Sequence, residues 1–175
     1  MRLNNERRLV LLCSRGRLDA THQEQIKKIL AGHVDWKEVL FQAVTHRMLN
    51  LVYFQLKELG LLAAIEQEIR KLMEMSHRYV GIKNRLYVEE LGKMADEFRK
   101  HGIKAVILKG VLLSSTIYPE IETRYFNDID FLVKKQDISK IIHVLNSLGF
   151  VQGDYNEKTN SIDEASRKQK IFHQM

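Results

Sequence analysis

The chain has 175 residues, 45% of them hydrophobic, which is enough to bury one core or two small ones. Lys and Arg number 28 against 22 Asp and Glu, a net charge of +6 spread along the chain that suits an anionic partner without requiring one. The single cysteine, Cys13, excludes an intramolecular disulfide and a cysteine-based zinc site, and the apolar run 9–13 is too short for a signal-peptide core or a membrane span. A cytoplasmic protein with Cys13 as a small core residue is the expectation.

Up to about residue 100 the pattern is helical, with no proline and few glycines. Ile26, Ile29 and Leu30 predict a helix from Thr21 or His22 to Ala31, ended by Gly32. Asp35 can cap the next, which runs through Val39, Leu40, Ala43 and Val44, and Trp36 reads as an anchor between helices. Leu51, Val52, Phe54, Leu56 and Leu59 carry a third as far as Gly60. A long helix follows over about 63–100, on Ile65, Ile69, Leu72, Met73, Leu86, Val88, Leu91, Met94, Ala95 and Phe98, with Gly81 as a candidate interruption. "MLNLVYF" and "LMEM" read as core stripes. The histidines, among them His46, His77 and His143, show no metal-ligand spacing.

After Gly102 the pattern changes. "IKAVIL" (103–108), apolar and β-branched between glycines, predicts a buried strand. Gly110 opens a helix, "VLLSSTIY", that ends at Pro119, the only proline. A second strand is predicted over 128–133. Asp137 then caps an amphipathic helix that turns Ile138, Ile141, Ile142, Leu145 and Leu148 inward, and Gly149 stops it with Phe150 placed for the accompanying apolar contact. "GDYNEKTNSIDEASRKQK" has no period and reads as a polar loop leading into a helix or strand near Lys170. The predicted fold class is α+β: a helical region over 1–100, then a small mixed-sheet core of strand–helix–strand–helix order over 101–175, incomplete at its C-terminal side.

The chemistry concentrates in "RYFNDIDFLV". On a strand beginning at 128, Asp128 and Asp130 share a face, and two like charges so close call for a cation between them. Upstream, a glycine at a strand-to-helix turn lets backbone approach a phosphate, and the helix N-terminus offers its free N–H groups. Lys109 and Arg124 flank the region. Carboxylates so placed could hold Mg²⁺, or Mn²⁺, together with bound phosphates. Asp-x-Asp is also common on solvated strand ends and in turns, which is the plainer reading.

The stretch "ILKGVLLSSTIYPEIETRYFNDIDFLVKKQDISKIIHVLNSLGF" resembles the polymerase-β-like nucleotidyltransferase superfamily, whose signature is a glycine turn opening a helix and Asp-x-Asp on the next strand. Within it, Leu108-Lys109-Gly110, Tyr118-Pro119, Arg124, Asp128-Ile129-Asp130 and Leu148-Gly149-Phe150 are similar to a bacterial group called uncharacterised nucleotidyltransferases. The helical segment "VDWKEVLFQAVTHRMLNLVYFQL" is similar to that group's N-terminal region. The resemblance implies that Asp128 and Asp130 are catalytic and bind two Mg²⁺, that Lys109, Gly110 and Arg124 bind nucleotide, and that a nucleoside monophosphate passes from a triphosphate to an unidentified acceptor, small molecule or protein.

Two departures accompany it. Gly110 is followed by Val111 where the superfamily has serine, and the third carboxylate of a later strand is not evident. "KIFHQM" resembles the segment near that strand, while Asp154, Glu157 and Asp163 read as surface. A catalytically inactive nucleotide-binding or protein-interaction member is therefore the second reading. A helical nucleic-acid binder is the third, and it lacks a basic-aromatic platform. No membrane partner is expected, and an oligomer stays open.

Overall fold

A computed structural model of the chain describes residues 3–165. Among these are seven α-helices: α1 Asn5–Cys13, α2 Ala20–Leu30, α3 Trp36–Thr45, α4 Leu49–Glu58, α5 Gln67–Lys100, α6 Lys109–Thr116 and α7 Ile138–Ser147. The strands are β1 Ala105–Leu108, β2 Asp130–Val133, β3 Gly153–Asn156 and β4 Ser161–Glu164, with β1 beside β2 and β3 beside β4. The fold class is α+β, as the order of elements predicts. No helix among the described residues is long and apolar enough to cross a membrane. The chain divides into two compact units. One takes in the described residues up to Glu90 together with Ile107–Phe131; the other takes in Leu91–Val106 and the described residues from Leu132 on.

In the first unit, helix starts are fixed by side chains that accept otherwise orphaned N–H groups. Asn4 accepts from Arg7, Asp19 from His22, and Asp35 from both Lys37 and Glu38. Each such cap contributes about 1 kcal/mol. The apolar stripes they launch meet in one cluster that includes Leu9, Ile26, Val39, Val52, Leu56 and Met73, with Trp36 buried in it as anticipated. Cys13 belongs to the same cluster, and burial pushes its thiol up to about 12. "MLNLVYF" is core as expected, with Leu51, Val52, Tyr53 and Phe54 all buried. "LMEM" is not: Met73 is buried, but Leu72 and Met75 are exposed. α5 runs through Gly81 without a break.

In the second unit, α7 ends as the sequence predicts. Gly149 is left-handed at φ +90°, and the Phe150 N–H donates to the Leu145 carbonyl at 2.9 Å. Its start differs from expectation. Asp137 makes no side-chain cap, because a 3₁₀ turn over Lys135–Asp137 runs directly into the helix and leaves Asp137 in a helical conformation. Ile141 and Val144 are buried, while Ile138, Ile142, Leu145 and Phe150 line an open groove. The strand expected to be buried is only half-buried: Val106 on β1 is exposed, as is Leu132 on its neighbour β2, since the sheet has two strands among the described residues and leaves a face uncovered.

The polar stretch expected to be a loop folds as a hairpin. β3 pairs antiparallel with β4, Asp154 opposite Asp163 and Tyr155 opposite Ile162. The left-handed Asn160 at φ +50° makes the turn, and its side chain accepts from the Tyr155 hydroxyl. With one apolar cross-strand pair, the alternation is too short to read as a strand signal. Lys170 and "KIFHQM" lie outside the described residues.

Candidate functional site

The Asp-x-Asp segment, the glycine turn and the part of α5 up to Glu90 belong to the first unit. β1 gives way to α6 without an intervening loop, and the reversal is taken by Lys109, which is left-handed at φ +49°. A non-glycine residue held there costs on the order of 1–3 kcal/mol. Gly110, read from the sequence as the residue that lets backbone approach a phosphate, is also needed by its neighbours. A Cβ on it would lie 2.8 Å from Cβ of Phe126, so the glycine lets that buried ring close against the start of α6. The strained turn directs the Lys109 ammonium to Asp130, with Nζ 3.1 Å from Oδ2. A cation does face one of the two carboxylates, and it comes from the chain itself.

β2 starts at Asp130 rather than at 128. Asp128 therefore lies in the extended segment before the strand, and the shared strand face inferred from the sequence does not reach it. Asp128 is exposed and Asp130 half-buried. The segment from 121 to 127 is laid along α5 by a row of polar side chains. Asn84, fully buried, donates through Nδ2 to the carbonyls of Ile121 at 2.6 Å and Arg124 at 2.8 Å. Lys83 donates to the Phe126 carbonyl and to Asn127 Oδ1, and its Nζ lies 3.8 Å from the centre of the Tyr125 ring. Tyr87 donates its hydroxyl to the Asn127 carbonyl at 2.7 Å and sets its ring edge-on to Phe126.

These contacts leave electrostatic marks. Burial lowers the Lys83 pKa below its ordinary value, against a smaller opposing effect of Tyr125. Burial raises that of Tyr87, and the negative charge of Asp128 pushes it further up. Burial works against ionisation of Glu122, but the Arg85 hydrogen bond, a backbone hydrogen bond and the positive charge of Arg85 together outweigh it and hold it below the usual carboxylate range. Gly81 makes that pair possible, since a Cβ there would stand 2.5 Å from Glu122 Cγ. His77, buried against Tyr53 and 3.7 Å from Glu120, is held below its ordinary pKa by burial.

The sequence-predicted site residues are thus partly gathered. Lys109 meets Asp130, and Gly110 meets Phe126, four residues before Asp130. Arg124 turns to Tyr118, donating to its hydroxyl at 3.0 Å with the guanidinium 5.1 Å from the ring centre, and its buried Nε has no hydrogen-bond partner among the described residues. Asp154 and Asp163 stand on strands, contrary to expectation, as an exposed cross-strand pair, with Glu157 in the turn between them. Among the described residues no group of three or more His, Cys, Asp or Glu could hold a metal ion. Asp128 and Asp130 remain an accessible pair of oxygen donors suited to a hard divalent cation. Lys83, Asn84 and Tyr87 were not singled out from sequence. For Asn84 and Tyr87 the signal is there: 73, 77, 80, 84 and 87 share a helix face, and three of the five are polar or part-polar.

A cavity of about 410 Å³ opens next to this segment, lined by Arg47, Asn50, Ser76, Tyr125 and Asn127 among others. Arg47, itself left-handed at φ +57°, holds its guanidinium 5.9 Å from the Tyr125 ring centre. In comparison with known proteins, no curated sequence and no solved structure matches the chain. The family model described as uncharacterised nucleotidyltransferase matches residues 32–174, a span that contains the glycine turn, the Asp-x-Asp segment and the α5 face that holds it. The chain belongs to the uncharacterised nucleotidyltransferase family.

Proposed function

We propose that the chain handles a nucleoside triphosphate as its magnesium complex and transfers the nucleoside monophosphate to an acceptor hydroxyl or similar group. The observation that supports this best is the strained Lys109 turn, which brings a helix start, an ammonium and the Asp130 carboxylate together in a chain of this family. Asp128 and Asp130 hold Mg²⁺, or Mn²⁺ in its place. The ion supplies charge neutralisation at the phosphates and at the oxygens that attack and leave. Lys109, already beside Asp130, supplies a positive charge for a phosphate oxygen, and the N–H groups following Gly110 donate to the triphosphate. Arg124, oriented by Tyr118, offers a second cation. The cavity beside Tyr125 and Asn127 is of a size to admit a nucleoside or a small acceptor.

A second reading is favoured by the absence, among the described residues, of a three-carboxylate group. It is a member that binds the metal–nucleotide complex without turning it over. A positioned base contributes about 10²–10⁴-fold to rate, so the two readings differ in turnover and agree in binding. Calorimetry with a panel of triphosphates, with and without Mg²⁺, tests what they share. Binding should strengthen with the ion, and Asp128→Asn or Asp130→Asn should remove most of that gain. Equal affinity with and without divalent ion would defeat both. Pyrophosphate release with candidate acceptors present then separates them.

A further inference from the structure

α5 packs its Ile69, Met73 and Val80 inward, yet it carries another apolar row. Leu72, Met75, Tyr79, Ile82 and Leu86 are each more than half exposed. They succeed one another at steps of three, four, three and four residues, an average of 3.5, which is the heptad spacing of a helix that pairs with another helix. The row has defined ends, because the next positions of the same repeat are Glu68 and Glu89. Single exposed apolar residues are ordinary, but a contiguous row of five large ones marks an interaction surface.

We propose that this row is the seam of a helix–helix interface between two copies of this chain. The period selects the occupant: side chains repeating every 3.5 residues fill the holes of a helix with the same repeat, and α5 of a second copy supplies one. The area is adequate. Five such side chains present on the order of 600 Å² per copy, and their flanks bring this close to the about 800 Å² per partner of a stable interface. The charges permit it too. Lys71, Arg78 and Arg85 border the row, and three unpaired cations would oppose a second copy and favour an acidic partner. Arg78 is instead held by Glu74, and Arg85 by Glu122, so two of these three cations are neutralised within each copy.

Light scattering coupled to gel filtration, and sedimentation velocity, on the 175-residue chain across the micromolar range test the proposal. The wild type should show the mass of a dimer. Ile82→Lys should weaken association at least about 100-fold, as expected for a charge placed at the centre of a packed seam. Lysine is a good helix former and the position is exposed, so the circular dichroism and melting temperature of the monomer should be unchanged. Leu86→Gln, a milder change, should weaken the dimer in the same direction. Phe41→Lys, exposed on α3 and outside the row, should leave it intact. A wild type that stays monomeric across that range, or a dimer indifferent to both row variants, would overturn the proposal.

Discussion

The chain holds two pairs of neighbouring aspartates, and they differ in everything except charge. Asp128 and Asp130 stand at the end of a segment pinned to α5 by Lys83, Asn84 and Tyr87, with the Lys109 ammonium drawn onto one of them by a strained turn. Asp154 and Asp163 face each other across an exposed hairpin, where Asp163 accepts one hydrogen bond from Asn156. Like charges directly opposed on a hairpin are mildly destabilising. The number of carboxylates does not separate the two. What does is the order imposed on their surroundings: a buried amide and a charged partner hold the segment around Asp128 and Asp130, whereas the hairpin pair is held by exposed contacts alone.

The largest effect that could break this contrast is functional. Asp130→Asn should lower magnesium-dependent triphosphate affinity at least about tenfold, as removal of one charged ligand from a hard-cation site implies, while Asp163→Asn should leave it unchanged. Titration calorimetry on both variants measures the difference, and parity between them would dissolve the distinction. Next in size is the scaffold. Asn84→Ala takes the Nδ2 donor from two part-buried carbonyls and should cost about 1–2 kcal/mol in denaturant unfolding, with any nucleotide affinity falling as the segment loosens. Smallest is the hairpin itself, where Asp154→Asn relieves a cross-strand repulsion and should stabilise by a few tenths of a kcal/mol, about the 0.2–1 kcal/mol range of such pairs. A clear loss there would mean that the hairpin pair has a partner of its own.

Much of this arrangement is legible in the residues, and the remainder is obscured for identifiable reasons. Asp35 and Gly149 announce a helix start and a helix end because capping is a local matter of one side chain or one φ value. The Asp-x-Asp segment is visible from its apolar sequel. Lys109 as the strained residue is not, since a glycine stands next to it and attracts the inference; only the Phe126 ring, sixteen positions along the chain from Gly110, explains why that glycine is needed. The α5 row of Lys83, Asn84 and Tyr87 was hidden by the apolar residues that share its helix. The failed cap at Asp137 depends on a 3₁₀ turn that no local pattern marks. The hairpin escaped because its strands are stabilised by polar side chains and one apolar pair, so the period-2 signal never rises above the background.

The buried thiol of Cys13 has a practical consequence. With its pKa at about 12, only about one thiol in ten thousand is ionised at pH 8, and thiolate is the reactive form. Buried and held as the thiol, Cys13 should react slowly with maleimides and methanethiosulfonates, and it is the only cysteine. Any cysteine introduced on the surface becomes a unique attachment point without prior removal of the native one. A nitroxide at exposed Phe41, outside the α5 row, would test for a second copy, and a fluorophore near Asn127 would test for nucleotide binding, both in a protein whose core has not been altered to permit the measurement.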